Sequence, residues 1–399
     1  VVVAAPATTG ESWLTVRAVL ADDAPWAPAG HEIAWGQGPA NPRWSADDAR
    51  AGQAVTASPD PDGVGGMRDA VDPGASVPIG GRVDDSVVRV GAGEFDPHTG
   101  RLVRLGGIDV DGPLLDVWRA PTDNDDGQPH TPAKEWRRYG LDRMRHRTDA
   151  VVVGNNTVGN SVGENSVVGN SVVGNSQVPG EDDTTLTTLT ALTALTVRTR
   201  VAPAAVPFGL LTTYRWTAVD DGALRLDVDV EPDGTWPDIP LPRLGVRLAL
   251  PSQFGQATWF GGGPGEAYPD TRQAVRVGRY TSTVDEMQTP YVYPQENGHR
   301  IDVRWAELTA QDLPSAPAAL RIEGSPMFGL TVRRWTSHDL DAAKHPHELA
   351  ARDRVYVNLD LVQHGIGSGS CGPGVLPQHV LRPESAHFAV TFRQVAGLS

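Results

Sequence analysis

The sequence predicts an all-β protein dominated by one large antiparallel β-sandwich, and three observations carry that expectation. Its 399 residues include 44 glycines and 33 prolines, which favours strands joined by many turns over a helical bundle. Short runs of alternating apolar and polar residues recur along most of the chain, at the period of half-buried strands. Turn signals separate those runs, as expected when successive strands are antiparallel neighbours.

The first alternating runs, residues 13–20 and 31–35, surround an Ala/Pro-rich connection and read as a strand pair. Two strands alone are marginal in water, so residues 1–37 are expected to be the remnant of a sandwich domain. Residues 38–82 are rich in Pro, Asp, Ala and Gly without periodicity and read as a poorly ordered linker. Residues 83–399 are expected to form the main domain. Within it, residues 87–90 and 102–105 flank a turn containing Asp96, Pro97 and Gly100. Residues 210–219 and 224–230 flank Asp220, Asp221 and Gly222, with Leu224, Leu226, Val228 and Val230 on one face. Further strands are expected at 242–251, 303–309, 320–324, 330–335, 355–361 and 387–395. Only residues 131–144, TPAKEWRRYGLDRM, look helical. Residues 152–176 repeat a Val-Gly-Asn-Ser-like pentamer five times, and Leu-Thr triplets follow to residue 196. A solenoid needs longer repeats with a buried face, so this low-complexity insert, at about 152–196, reads as replication slippage in a surface loop.

The net charge of −15 argues against nucleic acid and anionic membranes as partners, because both need a basic face. A neutral substrate fits it. No run reaches the ~18 apolar residues of a membrane span. The single cysteine, Cys371, excludes an internal disulfide framework and fits a reducing cytoplasm. The start carries neither an initiator Met nor a basic n-region, and reads as a cut point inside a longer chain.

Several motifs invite chemistry. WFGGGPGEAYPD, residues 259–270, has the glycines of a phosphate loop but no lysine after them, and Glu266 would repel phosphate. The expectation is therefore a sharp backbone bend after Phe260, allowed by the glycines. WRAPTDNDDG, residues 118–127, places its glycine one position early for a calcium loop and has Lys134 where the closing Glu belongs. Asx-rich turn chemistry is expected there instead. Glu266, Asp270 and Glu296 could be proposed as glycosidase acids, but such pairs must sit ~5–5.5 Å or ~6.5–9.5 Å apart, and nothing in the sequence pairs them. His338, His345 and His347 lack the spacing of a zinc motif, so no metal is expected there. Cys371 has no recognisable His partner and no second Cys. Tryptophan, at 11, outnumbers Tyr and Phe at 7 each; indoles can stack on sugar rings, yet most in a sandwich are core.

Five stretches match one family together and in order: SWLTVRAVLADDAPWAPAGHEIAWGQ, WRAPTDNDDG, WFGGGPGEAYPDTR, TPYVYPQENGHR and YVNLDLVQHGIGSGSCGPGVLP. They resemble the C-terminal third of LacZ-type β-galactosidases of glycoside hydrolase family 2. The resemblance covers nearly the whole chain apart from the linker and the pentamer insert. It implies the end of an immunoglobulin-like sandwich followed by a galactose mutarotase-like β-supersandwich. It also implies that the two catalytic glutamates lie in a TIM barrel outside this chain, so the chain alone should not hydrolyse galactosides. Catalytic and metal residues are accordingly expected to be none. In the family a loop of the last domain closes over the barrel and supplies a stacking Trp. That loop resembles residues 365–377, and Cys371 or a neighbour falls at the Trp position, so the stacking role does not carry over. Ser368, Ser370 and Cys371 are the expected substrate-site residues.

The resemblance further implies a galactoside substrate and a barrel-bearing partner, either the rest of the enzyme or a large subunit. It implies a homo-oligomer when complete, and Mg²⁺ and Na⁺ mostly at barrel positions absent here. Two alternatives stand beside it: a stand-alone carbohydrate-binding sandwich, and an aldose-epimerase-like enzyme with a His and a Glu facing each other across a sugar-sized cleft.

Overall fold

The computed structural model describes residues 11–40, 87–127, 131–154, 166–167, 194–219, 222–310 and 318–396. The expected linker falls almost wholly outside them, as does most of the pentamer insert. The described residues form two antiparallel sheets.

The smaller sheet pairs β1 (Trp13–Val19) with β2 (Glu32–Pro39), with a register shift at Ala18 and Val19. The second strand therefore runs past residue 35, two residues into the expected linker. The hairpin rests on the larger sheet through its polar and aromatic face. Gln37 bonds the backbone of Val277 in both directions at 2.8 Å, Arg276 lies over the Trp35 ring, and Glu11 pairs with Arg304 at 2.6 Å. Its opposite face leaves Leu14 and Val16 exposed, and Ile33 is 60% exposed.

The larger sheet has 16 strands. In chain order they are β3 (Val88–Val90), β4 (Gly93–Phe95), β5 (Leu102–Leu105), β6 (Ile108–Asp116), β7 (Arg145–Gly154), β8 (Ser166–Val167), β9 (Ala194–Ala202) and β10 (Phe208–Ala218). Then come β11 (Leu224–Gly234), β12 (Arg243–Pro251), β13 (Gln256–Gly263), β14 (Arg276–Thr283), β15 (Arg300–Thr309), β16 (Ala318–Arg333), β17 (Arg354–Gln363) and β18 (Ala386–Ala396). The hydrogen-bonded order runs β3-β4-β5-β6-β12-β17-β16-β18-β11-β10-β9-β7-β8, and β15, β13 and β14 branch from β16. The long β16 makes the branch. Residues 329–333 pair with β17, while 318–325 pair with β18.

Alternation builds the core as expected. Leu224, Leu226, Val228 and Val230 are all buried, and they pack with Phe95, Trp216, Phe392 and Val357 in one apolar cluster. Val153, at the start of the repeat, and Leu195, at its end, belong to this core. The insert is therefore shorter than 152–196 at both ends, because the strands β7 and β9 reach into it. A satellite cluster gathers Trp118, Trp136, Leu141 and Phe208. Trp136 comes from the expected helix, which spans Pro132–Arg138 and stops at Gly140, whose φ of 79° no other residue type adopts easily.

The glycines of WFGGGPG do not make the expected bend. Gly261, Gly262 and Gly263 lie inside β13, paired with Gly278, Val277 and Arg276. Their role is close approach: a Cβ on Gly261 would sit 2.7 Å from the Cα of Val303. Buried Trp259 and Tyr268 flank the segment.

Candidate functional site

Three loops between strands of the large sheet meet through side-chain hydrogen bonds, and each comes from a motif singled out in the sequence. The first is WRAPTDNDDG. Thr122 caps the short helix α1 (Asp123–Asp126) in a reciprocal capping box with Asp125, which satisfies N–H groups the helix cannot pair itself. This replaces the expected Asx turn with a helical one. Arg119, fully buried, donates from Nη2 to both carboxylate oxygens of Asp125 at 2.9 Å. Its Nη1 donates to the carbonyl of His364 at 2.7 Å, which ties the helix to the start of the second loop.

That second loop, residues 364–376, contains the three expected substrate-site residues. Asp270 accepts backbone N–H bonds from Ile366 at 3.1 Å and Gly367 at 2.7 Å. Asn124 donates to the Gly367 carbonyl at 3.0 Å and accepts from both the N–H and the hydroxyl of Ser370, at 3.1 and 2.7 Å. The loop also closes on itself: the Ser368 hydroxyl donates to the Pro373 carbonyl at 2.9 Å, and Gly372 N–H donates to the Ser368 carbonyl at 2.6 Å. The fit depends on glycine. A Cβ on Gly369 would lie 2.6 Å from the carbonyl oxygen of Asn124. Ser368 and Ser370 thus spend their hydroxyl protons on loop shape. Cys371 is exposed at the tip.

The third loop is TPYVYPQENG. The Gln295 side chain makes a two-way bond with Asp123, donating to its carboxylate at 3.1 Å and accepting its backbone N–H at 3.0 Å. Glu266 accepts from the Tyr291 hydroxyl at 2.5 Å and from Gly298 N–H at 2.6 Å. The burial of Tyr291 and the carboxylate beside it push its hydroxyl pKa up, so it stays a donor. These bonds present Tyr291, Val292 and Tyr293 outward, with Val292 85% exposed.

Under the loops lies a buried charge network. Glu296 accepts from Arg333 at 2.9 Å and Arg243 at 3.1 Å, all three being almost fully buried. Burial raises the Glu296 pKa, but Arg333 and Arg243 outweigh it and bring it down to about 2. Asp360 lies 3.6 Å from Arg243 without a hydrogen bond to it. Burial there dominates and pushes its carboxyl up to about 7. Gln363 donates to Asp360 at 2.9 Å and lies 3.0 Å from His299 Nδ1. Burial first, and the neighbouring Arg243 second, hold His299 down to about 3, so it is a neutral acceptor.

The carboxylates considered from sequence are therefore structural pins. Glu266, Asp270 and Glu296 each accept bonds from fixed donors, an arrangement that positions backbone and neighbouring side chains. His338 contacts the Asp142 carbonyl at 2.7 Å, away from His345 and His347. Trp118, Trp136, Trp216 and Trp259 are core, and Trp305 is covered by Arg321 at 4.2 Å. Sequence reasoning missed the clamps, Asn124 and Asp270, because their partners lie 243 and 97 positions away in the chain.

The geometry thus gives a β-supersandwich that carries one clamped loop. Residues 92–392 match the family described as the β-galactosidase small chain, and residues 1–41 match β-galactosidase domain 4. The chain belongs to the β-galactosidase small-chain family and corresponds to the C-terminal region of LacZ-type β-galactosidases. It is 33% identical over 411 residues to a β-galactosidase of Arthrobacter sp. strain B7, covering 97% of this chain and 34% of that protein. With the β-galactosidase of Kluyveromyces lactis the identity is 26%, over 94% of this chain and 31% of the relative. The chain thus spans about a third of the length of these relatives. Among solved structures, a galactose mutarotase-like protein from Lactobacillus casei aligns with 77% of this chain and 99% of its own, at 10% identity and a TM-score of 0.31. The β-galactosidase relatives favour the first reading of the sequence over its two alternatives.

Proposed function

We propose that this chain is the part of a β-galactosidase that walls and caps the galactoside site, while a barrel-bearing part supplies both catalytic glutamates. The observation that carries the reading is the clamped loop, residues 364–376. Two side chains, Asn124 and Asp270, fix its backbone over residues 366–370, just before an exposed tip. A wall ordered before substrate arrives loses little conformational freedom on binding. Ser368, Ser370 and Cys371 line the substrate side in this reading, with Cys371 making the direct contact and the serines setting the loop's shape. The exposed apolar face of the β1–β2 hairpin supports the same conclusion, because a lone two-stranded sheet needs further strands against it.

The barrel-bearing part acts on terminal β-galactosides through a retaining pair of carboxylates, and the complete enzyme is a cytoplasmic homo-oligomer. In this reading the Mg²⁺ and Na⁺ that the resemblance implies belong to the barrel-bearing part.

The test is reconstitution. Adding the chain to its barrel-bearing counterpart should restore hydrolysis of a chromogenic galactoside. Gly369→Trp, which displaces the loop from Asn124, should leave co-elution intact and raise KM severalfold. Full activity with a normal KM in that variant would remove the loop from the substrate site.

A further inference from the structure

The turn after the helix Ser337–Ala342 carries a cluster that the loop site does not use. Its sequence is Lys344-His345-Pro346-His347-Glu348. Pro346 opens a 3₁₀ turn over Pro346–Glu348, closed by Glu348 N–H to the His345 carbonyl at 3.0 Å and Leu349 N–H to the Pro346 carbonyl at 3.2 Å. Proline fixes φ at this point and pre-sets the turn. The two imidazole rings stack with centroids 5.4 Å apart and planes at 20°. One donor atom from each of His345, His347 and Glu348 lies within 4.8 Å of the other two.

We propose that His345, His347 and Glu348 form a site for a borderline transition-metal dication, with Zn²⁺ the preferred occupant. The donor set selects the ion: two imidazole nitrogens and one carboxylate oxygen suit zinc, nickel or copper, whereas magnesium and calcium require mainly oxygen. Two of the three donors already stand close. His345 Nδ1 and Glu348 Oε1 are 2.9 Å apart, near the separation of two adjacent ligands bound at about 2.0–2.1 Å. The third, His347, is exposed and its ring stacks on His345, so a rotamer change there closes the set. The other Glu348 oxygen accepts the Lys344 N–H at 2.9 Å, which orients the carboxylate as an outer-shell partner orients a ligand. With three protein donors, the remaining positions on the ion are left to water.

The site's place gives it a consequence. Lys344 Nζ lies 2.8 Å from the Tyr293 hydroxyl, so the turn touches the exposed aromatic loop beside the proposed substrate wall. A bound ion would stiffen residues 344–348 and, through Lys344, that loop. The inference stands on the cluster alone and does not depend on the substrate reading.

Competitive titration of the full chain against a chromophoric chelator tests it, with zinc chloride as the probe. One Zn²⁺ per chain is expected, unaffected by excess Mg²⁺. The double variant His345→Ala with His347→Ala should lose at least about tenfold in affinity, about 1.4 kcal/mol, with an unchanged thermal midpoint in metal-free buffer. Glu348→Gln should weaken binding less. Cobalt substitution should give the visible absorption of a four-coordinate ion in the parent chain and not in the double variant. Absence of saturable binding overturns the proposal. So does binding that survives the double variant, or binding that is lost instead with Cys371→Ser, which would place the ion on the exposed thiol.

Discussion

At the residue scale, buried charge decides the most. Glu296 pairs with both Arg243 and Arg333 in a place without solvent. Breaking a buried pair by removing one partner costs about 3–5 kcal/mol, because the remaining charge is left uncompensated. Glu296→Gln is therefore expected to lower the urea midpoint of unfolding strongly, whereas the same change at exposed Glu348 should stay within about 0.5 kcal/mol. The buried imidazoles set an acid limit. His299 and His364 are both held down to about 3, chiefly by burial, and His364 Nδ1 accepts the Leu381 N–H at 3.2 Å. Each is neutral in the fold and takes up a proton on unfolding below its ordinary value of 6.5. Their contribution is complete above pH 6.5 and declines as pH falls towards 3, by about 1.4 kcal/mol per pH unit for each. Replacing His364 with Asn should flatten the dependence of unfolding free energy on pH between 6 and 4, measured by urea titration, by about one proton. An unchanged slope would show that His364 is not kept neutral.

At the scale of elements, strand existence was legible and the use of particular residues was not. Alternation found β10 and β11 because Leu224, Leu226, Val228 and Val230 face one core. It also found the helix at Pro132–Arg138. It misread Gly261–Gly263, since a glycine run signals both a bend and a close approach, and only the partner strand distinguishes them. Here that partner is β15, whose Val303 Cα would lie 2.7 Å from an added Cβ. Gly261→Ala should therefore destabilise the fold by about 1–3 kcal/mol, the usual cost of overpacking. Gly265→Ala, with open space around it, should be near neutral, and chemical denaturation of the two variants compares them directly. The loop site was half legible. Its position followed from the resemblance, but its clamps did not, because Asn124 reads as an Asx-turn residue and Asp270 as an unpaired candidate acid until the fold brings them against residues 366–370. Asn124→Ala should speed amide exchange at Ser370 while leaving the exchange of β17 unchanged. Equal exchange in both proteins would mean that the loop holds its shape without the clamp.

At the scale of the whole molecule, four carboxylates around the loops serve the structure. Asp125 binds Arg119, Asp270 holds the loop backbone, Glu266 holds Tyr291 and Gly298, and Glu296 holds two arginines. That commitment supports the proposal that bond cleavage falls to a barrel-bearing part. The family resemblance implies this division of labour, and the hydrogen bonds are consistent with it. The most direct measurement is steady-state turnover of a chromogenic galactoside by the purified chain alone, prepared from a host lacking its own β-galactosidase. The account expects no turnover above buffer at any pH. Turnover that Glu266→Gln or Asp270→Asn abolishes without unfolding the protein would contradict it.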